Sequence, residues 1–270
     1  MRIQLLFRSL AASVLALPTL ADWDPPVDPS RDKWVQSPQM GPGGYNVLSS
    51  QAIYPGGSPV SKIVADDWLC NDPRPVTDIH VWGSWWSDSP PPGWPGLFSL
   101  TIYSDIPAGP NPGDYSRPGD VLWSKTLQPT VRFWGDAVGE LFYDPNKVLN
   151  SPSGLSPEQK VWQYNFTLDP QDYFRQQPGT VYWLSVQAMG ITDTGHYWGW
   201  KTSLNHWGDD ATWADLGISG QTAWYELRDP LDPTRSLDMA FVLTVPEPRG
   251  WVLIVGLGLA GFAAYRRIAR

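Results

Sequence analysis

The chain has 270 residues, among them 17 tryptophans, 25 glycines, 28 prolines and one cysteine, and carries a net charge of −8. Between Asp22 and Pro246 the imbalance is sharper: 13 basic residues stand against 26 acidic ones, a net charge of −13. Such a surface repels phosphate backbones and excludes nucleic acid as a partner, and the single thiol, Cys70, excludes an internal disulfide framework.

The first segment reads as an export signal. Arg2 and Arg8 give a positive start, Leu10 to Leu17 is apolar, and Thr19-Leu20-Ala21 places small residues where a signal peptidase reads. Cleavage is expected after Ala21. Residues 22–33, rich in Pro and Asp, read as an exposed lead-in, and a folded body is expected over 34–245.

Within the body, short alternating runs recur between Gly, Pro, Asn and Asp clusters: KIVADDWLC, VTDIHVWGSWW, FSLTIYSDI, VLWSKTL, VWQYNFTL, TVYWLSVQA, HYWGWKT, TAWYEL and LDMAFVLTV. In FSLTIYSDI, Phe98, Leu100 and Ile102 share one face while Ser99, Thr101 and Tyr103 share the other. Half-buried antiparallel strands give this pattern. Cys70, beside Trp68 and Leu69, is expected to be a small buried hydrophobe. Two short helices are expected, in SPEQKV from Ser156, with its Ser cap and Pro157 at the first helical position, and in DPQDYFRQ. The fold class that follows is all-β: one antiparallel two-sheet β-sandwich of jelly-roll type.

Past Val245 the pattern changes. Trp251 to Tyr265 is an uncharged run; as a helix it would span about 22 Å, against about 30 Å of bilayer hydrocarbon. It is short for a permanent anchor. Arg266, Arg267 and Arg270 would hold its end on the cytoplasmic side and leave the body outside. The triplet Pro246-Glu247-Pro248, the short apolar helix over 251–265 and the arginine cluster that includes Arg266 and Arg267 together resemble the PEP-CTERM sorting signal of certain bacteria. The resemblance covers residues 246–270. It implies recognition by an exosortase-type membrane enzyme after signal peptidase has acted, transient residence in the membrane, and delivery to the cell surface or an exopolysaccharide matrix. The body is also similar to an uncharacterised extracellular domain of PEP-CTERM proteins, through DKWVQSPQM, ADDWLCNDPRPVTDIHVWGSWW, YWLSVQA, WGWKTS and DMAFVLT. That resemblance implies one domain and brings no activity with it.

Candidate chemistry is sparse. His80, His196 and His206 fall in no zinc spacing, GISG at Gly217 to Gly220 is not a nucleophile elbow, and nothing singles out a pair of facing carboxyls. No enzyme, cofactor or zinc site is expected. Asp66-Asp67 and Asp209-Asp210 are weak candidates for calcium, since neither lies in the spaced pattern of a calcium loop. The tryptophans offer more: a flat apolar ring with a polar N–H suits a sugar face. Trp82, Trp86, Trp94, Trp198, Trp200 and Trp207 are the candidates for a surface platform, against the alternative that each packs in the core. The first function that follows is a non-catalytic exported surface or matrix protein associated with exopolysaccharide; the alternative is a carbohydrate-binding module, and a polysaccharide-acting hydrolase ranks third.

Overall fold

The computed structural model describes residues 22–245 apart from 54–56, 58, 112, 146–155, 194 and 217–222. Ala21, the sorting residues Pro246, Glu247, Pro248, Arg266 and Arg267, and the expected helix over 251–265 lie outside the described residues.

Fifteen strands are described, with one turn of 3-10 helix over Trp86–Asp88. In chain order they are β1 (Asp32–Gln36), β2 (Tyr45–Leu48), β3 (Gln51–Ile53), β4 (Pro59–Leu69), β5 (Asp78–Trp85), β6 (Phe98–Ile106), β7 (Arg117–Leu127), β8 (Thr130–Tyr143), β9 (Ser156–Thr167), β10 (Val181–Ala188), β11 (Trp198–Ser203), β12 (Thr212–Asp215), β13 (Tyr225–Glu226), β14 (Asp238–Met239) and β15 (Phe241–Thr244). They form two sheets, so the molecule is all-β and sandwich-like. The second sheet runs β13-β12-β4-β10-β6-β7, with β3 also on β4. The first runs β1-β15-β5-β9-β8-β2-β11-β14, and a further pairing of β5 with β11 closes β5, β9, β8, β2 and β11 into a small barrel. Closure works because β5 is shared along its length. Its first half pairs β15 at Asp78 to Val81, and its second half pairs β11 at Gly83 to Trp85.

The barrel departs from the expected jelly roll in a second respect: β2 and β8 run parallel. Close approach at the seam needs glycine. A Cβ at Gly83 would stand 2.4 Å from the Gly199 carbonyl and 2.5 Å from the Trp198 ring, and one at Gly199 would stand 2.8 Å from Asn46.

The sheets pack through the faces that alternation assigned. Phe98, Leu100 and Ile102 of β6 are fully buried, as are Ile79 and Val81 of β5. Phe98 lies edge-on to Trp198 at 5.0 Å and to Trp94 at 5.3 Å, and close to Tyr164 and Phe166. Edge-to-face packing sets the positive ring edge on the negative ring face. Cys70 is buried in this core.

SPEQKV is not a helix: it opens β9, with Leu141 paired to Pro157 and Phe142 to Ser156. The alternation of VWQYNFT extends backwards along a long partner strand, and pairing outweighs the local cap signal. DPQDYFRQ is a turn with an isolated bridge at Phe174. The lead-in is also more structured than expected. Trp23 is buried against Trp82 and Trp134, and its carbonyl accepts bonds from Arg132 and Gln163. It closes an apolar cluster on the face of the first sheet away from the sandwich core.

Candidate binding cleft

The outer face of the second sheet carries a cleft of about 870 Å³. Its floor comes from β6 and β4, where Tyr103, Asp105 and Ile63 project outward between the core-facing positions. One wall is the start of β7 from Arg117 to Val121, another the turn at Gly113 to Tyr115, and a third Leu216, Ala223 and Trp224.

Each ring is held from behind. Tyr103 lies edge-on to Trp224, with centroids 5.8 Å apart, and its hydroxyl pairs with that of Ser185 at 3.3 Å. The Tyr115 hydroxyl donates to the Trp224 carbonyl at 2.7 Å. The turn before Tyr115 is fixed by Asp114, whose carboxylate accepts from the Asn111 backbone and side-chain amides. Gly119 is required for closeness: a Cβ there would meet the Ser104 hydroxyl at 2.7 Å, and that hydroxyl accepts from the Asp120 amide.

Polar groups ring the aromatic floor. Asp105 accepts from the Trp183 indole N–H at 2.8 Å, which fixes its carboxyl; burial pushes its pKa up, the Trp183 bond opposes this and the Asp209 charge adds to it. Burial likewise raises the Tyr103 and Tyr115 phenols, so both stay protonated donors. Asp114, Arg117 and Asp120 are exposed at the rim. Among the described residues the cleft thus combines apolar ring surface, phenol and carboxyl groups and the Arg117 guanidinium.

None of the six expected platform tryptophans lies there. Trp82, Trp198 and Trp200 are fully buried and present no face to a ligand. Trp82 belongs to the cluster under Trp23, and Trp198 and Trp200 face the sandwich core, where the Trp200 indole donates to the Ala240 carbonyl. Trp86, Trp94 and Trp207 are half-buried edge packers. Trp86 meets Phe142 and Tyr197, Trp94 meets Trp85 and donates to the Met189 carbonyl, and Trp207 meets Trp34 at 5.2 Å. The aromatics of the cleft were visible only indirectly: Tyr103 is a large ring on the polar face of an otherwise clean alternating strand.

The acidic pairs do not form chelates. Asp66 and Asp67 are consecutive in β4 and point to opposite faces. Asp66 lies wholly inside, accepting from the Met239 amide at 2.7 Å and from Gln36 at 3.0 Å. Asp67, on the other face of β4, is also buried, against Gly208. Asp209 accepts from the Ser116 amide, and Asp210 pairs with Arg228 at 3.2 Å. Among the described residues no group of three or more His, Cys, Asp or Glu is arranged to hold a metal ion. Burial, first of all, raises the pKa of Asp66 well above the carboxylate range, with the Asp238 and Asp67 charges adding to it. Burial also raises Asp67 to about 8 and Asp238 to about 6, the latter opposed by His206, whose Nδ1 stands 3.2 Å from it.

Fold and cleft together define an all-β, two-sheet domain with one partly closed sheet and an aromatic, acidic surface cleft. Residues 32–244 match a family described as a domain of unknown function (DUF7901), and the chain belongs to that family. No curated protein and no solved structure matches it.

Proposed function

We propose that the chain is a non-catalytic, exported cell-surface or matrix module that holds a segment of exopolysaccharide in the cleft between Tyr103, Tyr115 and Trp224. The observation that carries this reading is the cleft. It offers ring surface for the apolar faces of sugars, and Asp105, Asp114, Asp120 and Arg117 for their hydroxyls. An open trough of this volume accommodates a chain passing through rather than one enclosed ligand. Export through the signal ending at Ala21, and sorting through Pro246-Glu247-Pro248 by an exosortase-type enzyme, are part of the same proposal. They agree with the excess of acidic residues in the body, which keeps an extracellular protein soluble.

The test is affinity electrophoresis of the full chain through gels containing the host's exopolysaccharide. Retardation that Tyr103→Ala abolishes supports the reading. Unchanged mobility in every neutral and acidic polysaccharide tried contradicts it, and release of new reducing ends contradicts the non-catalytic part.

A further inference from the structure

A second site lies in the barrel, remote in chemistry from the cleft. Asn46 of β2 and Lys201 of β11 are register partners, and Glu140 of β8 comes from the strand on the other side of β2. All three side chains are fully buried. They lie on the face of the barrel opposite Tyr45, Val47, Trp198 and Trp200, which belong to the sandwich core. One oxygen joins them: Glu140 Oε1 stands 3.1 Å from Lys201 Nζ and accepts the Asn46 side-chain N–H.

The surroundings make room for this arrangement. A Cβ at Gly44 would stand 2.6 Å from Lys201 Nζ, and one at Gly199 would stand 2.8 Å from Asn46 Cβ. Gly139, at φ +76°, and a register shift between Asp136 and Glu140 bring Glu140 into the site. An ordinary structural reading meets a difficulty. A wholly buried ion pair repays its desolvation poorly, and an apolar pair would serve stability as well. An amine, a carboxamide and a carboxyl on three neighbouring strands are, however, the components of an acyl transfer.

We propose that Lys201 and Asn46 become joined by an intramolecular amide bond, with Glu140 as the acid–base residue that touches both reacting nitrogens. In the dry interior the pair shifts toward neutral amine and neutral carboxylic acid, the Lys201 proton passing to Glu140; burial raises the Glu140 carboxyl in that direction, while Lys201 opposes it. The freed Nζ lone pair attacks Asn46 Cγ and forms the new C–N bond. Glu140 returns its proton to Nδ2, the nitrogen already in contact with Oε1, and the Cγ–Nδ2 bond breaks. The nitrogen leaves as ammonia, which carries off the remaining Nζ proton as ammonium. One ammonium side chain and one carboxamide thus give one secondary amide and one ammonium ion, with no oxidant, reductant or external co-reactant. Fixed neighbouring positions supply the orientation that makes such intramolecular steps fast. The product ties β2 to β11 covalently across the seam of the barrel, a device suited to a surface protein under load.

The test is tryptic peptide mapping of the full chain after denaturation. Residues 34–62 and 176–228 are expected as one joined species, uncut at Lys201, lighter than the sum of the two peptides by one ammonia, about 17 Da. Glu140→Gln and Lys201→Arg are each expected to release 34–62 as a separate peptide. Free 176–201 and 202–228 from folded parent protein would overturn the proposal. So would loss of ammonia within 34–62 alone, which is cyclisation of Asn46. A joined species persisting in Glu140→Gln would overturn the role given to Glu140. The parent map decides the bond itself even if a variant does not fold.

Discussion

Trp198→Ala separates a core tryptophan from a ligand platform. Trp198 is fully buried, edge-on to Phe98 at 5.0 Å and to Tyr164 at 5.5 Å, with Gly83 cut back to admit its ring. Replacing a buried tryptophan by alanine costs about 3–5 kcal/mol, and the two edge-on pairs, at about 0.5–1.5 kcal/mol each beyond area burial, place this site toward the upper end. A domain of this size loses about 2–4 °C of melting temperature per kcal/mol, so the expected drop is about 6–20 °C. Thermal unfolding followed by near-ultraviolet circular dichroism measures it. Phe133→Ala is the control, since Phe133 is 55% exposed and should shift the midpoint far less. A Trp198→Ala midpoint within about 2 °C of the parent would refute the assignment of this ring to the core.

The carboxyls Asp66, Asp67 and Asp238 make stability pH-dependent with a definite sign. Their folded pKa values lie above the ordinary aspartate value of 3.8, with Asp238 at about 6 and Asp67 at about 8. The folded state therefore holds more protons, and their contribution, complete below the unfolded pKa, is lost as pH rises through the folded values. Melting temperature is expected to fall between about pH 5 and about pH 9; a rise over that range would contradict the burial of these groups. Gly199→Ala should destabilise by about 1–3 kcal/mol, read as a lower urea midpoint, because the new methyl meets Asn46; an unchanged midpoint would show that the β2–β11 contact can yield.

Much of the fold was legible because period-two alternation survives wherever a strand lies on a core. FSLTIYSDI coincides with β6 from end to end, and TVYWLSVQA contains all of β10. What escaped were segments whose pattern is broken for a structural reason. The 14-residue β8 is interrupted by Gly135 and Gly139 and by two register shifts, which bend it around the barrel and disguise it as loop. With β8 went Glu140, and so the buried triad. LDMAFVLTV was seen as one strand but splits into β14 and β15 at Ala240, whose amide turns to the Lys201 carbonyl. Barrel closure was not legible, since it depends on β5 dividing its edge between two partners far apart in sequence. The tryptophans misled for a plain reason. A ring suited to sugar is equally suited to a core, and only the position of the strand decides between the two.

The cleft is the part of the account on which function rests, and Tyr103 is its central ring. Isothermal titration of the full chain with oligosaccharides cut from the host's exopolysaccharide tests it most directly. The expected result is saturable binding that Tyr103→Ala weakens by tenfold or more, about 1.4 kcal/mol, while Trp94→Phe, outside the cleft, leaves it unchanged. Binding that ignores Tyr103→Ala, or no binding by the folded parent, would contradict the assignment of this cleft to a glycan.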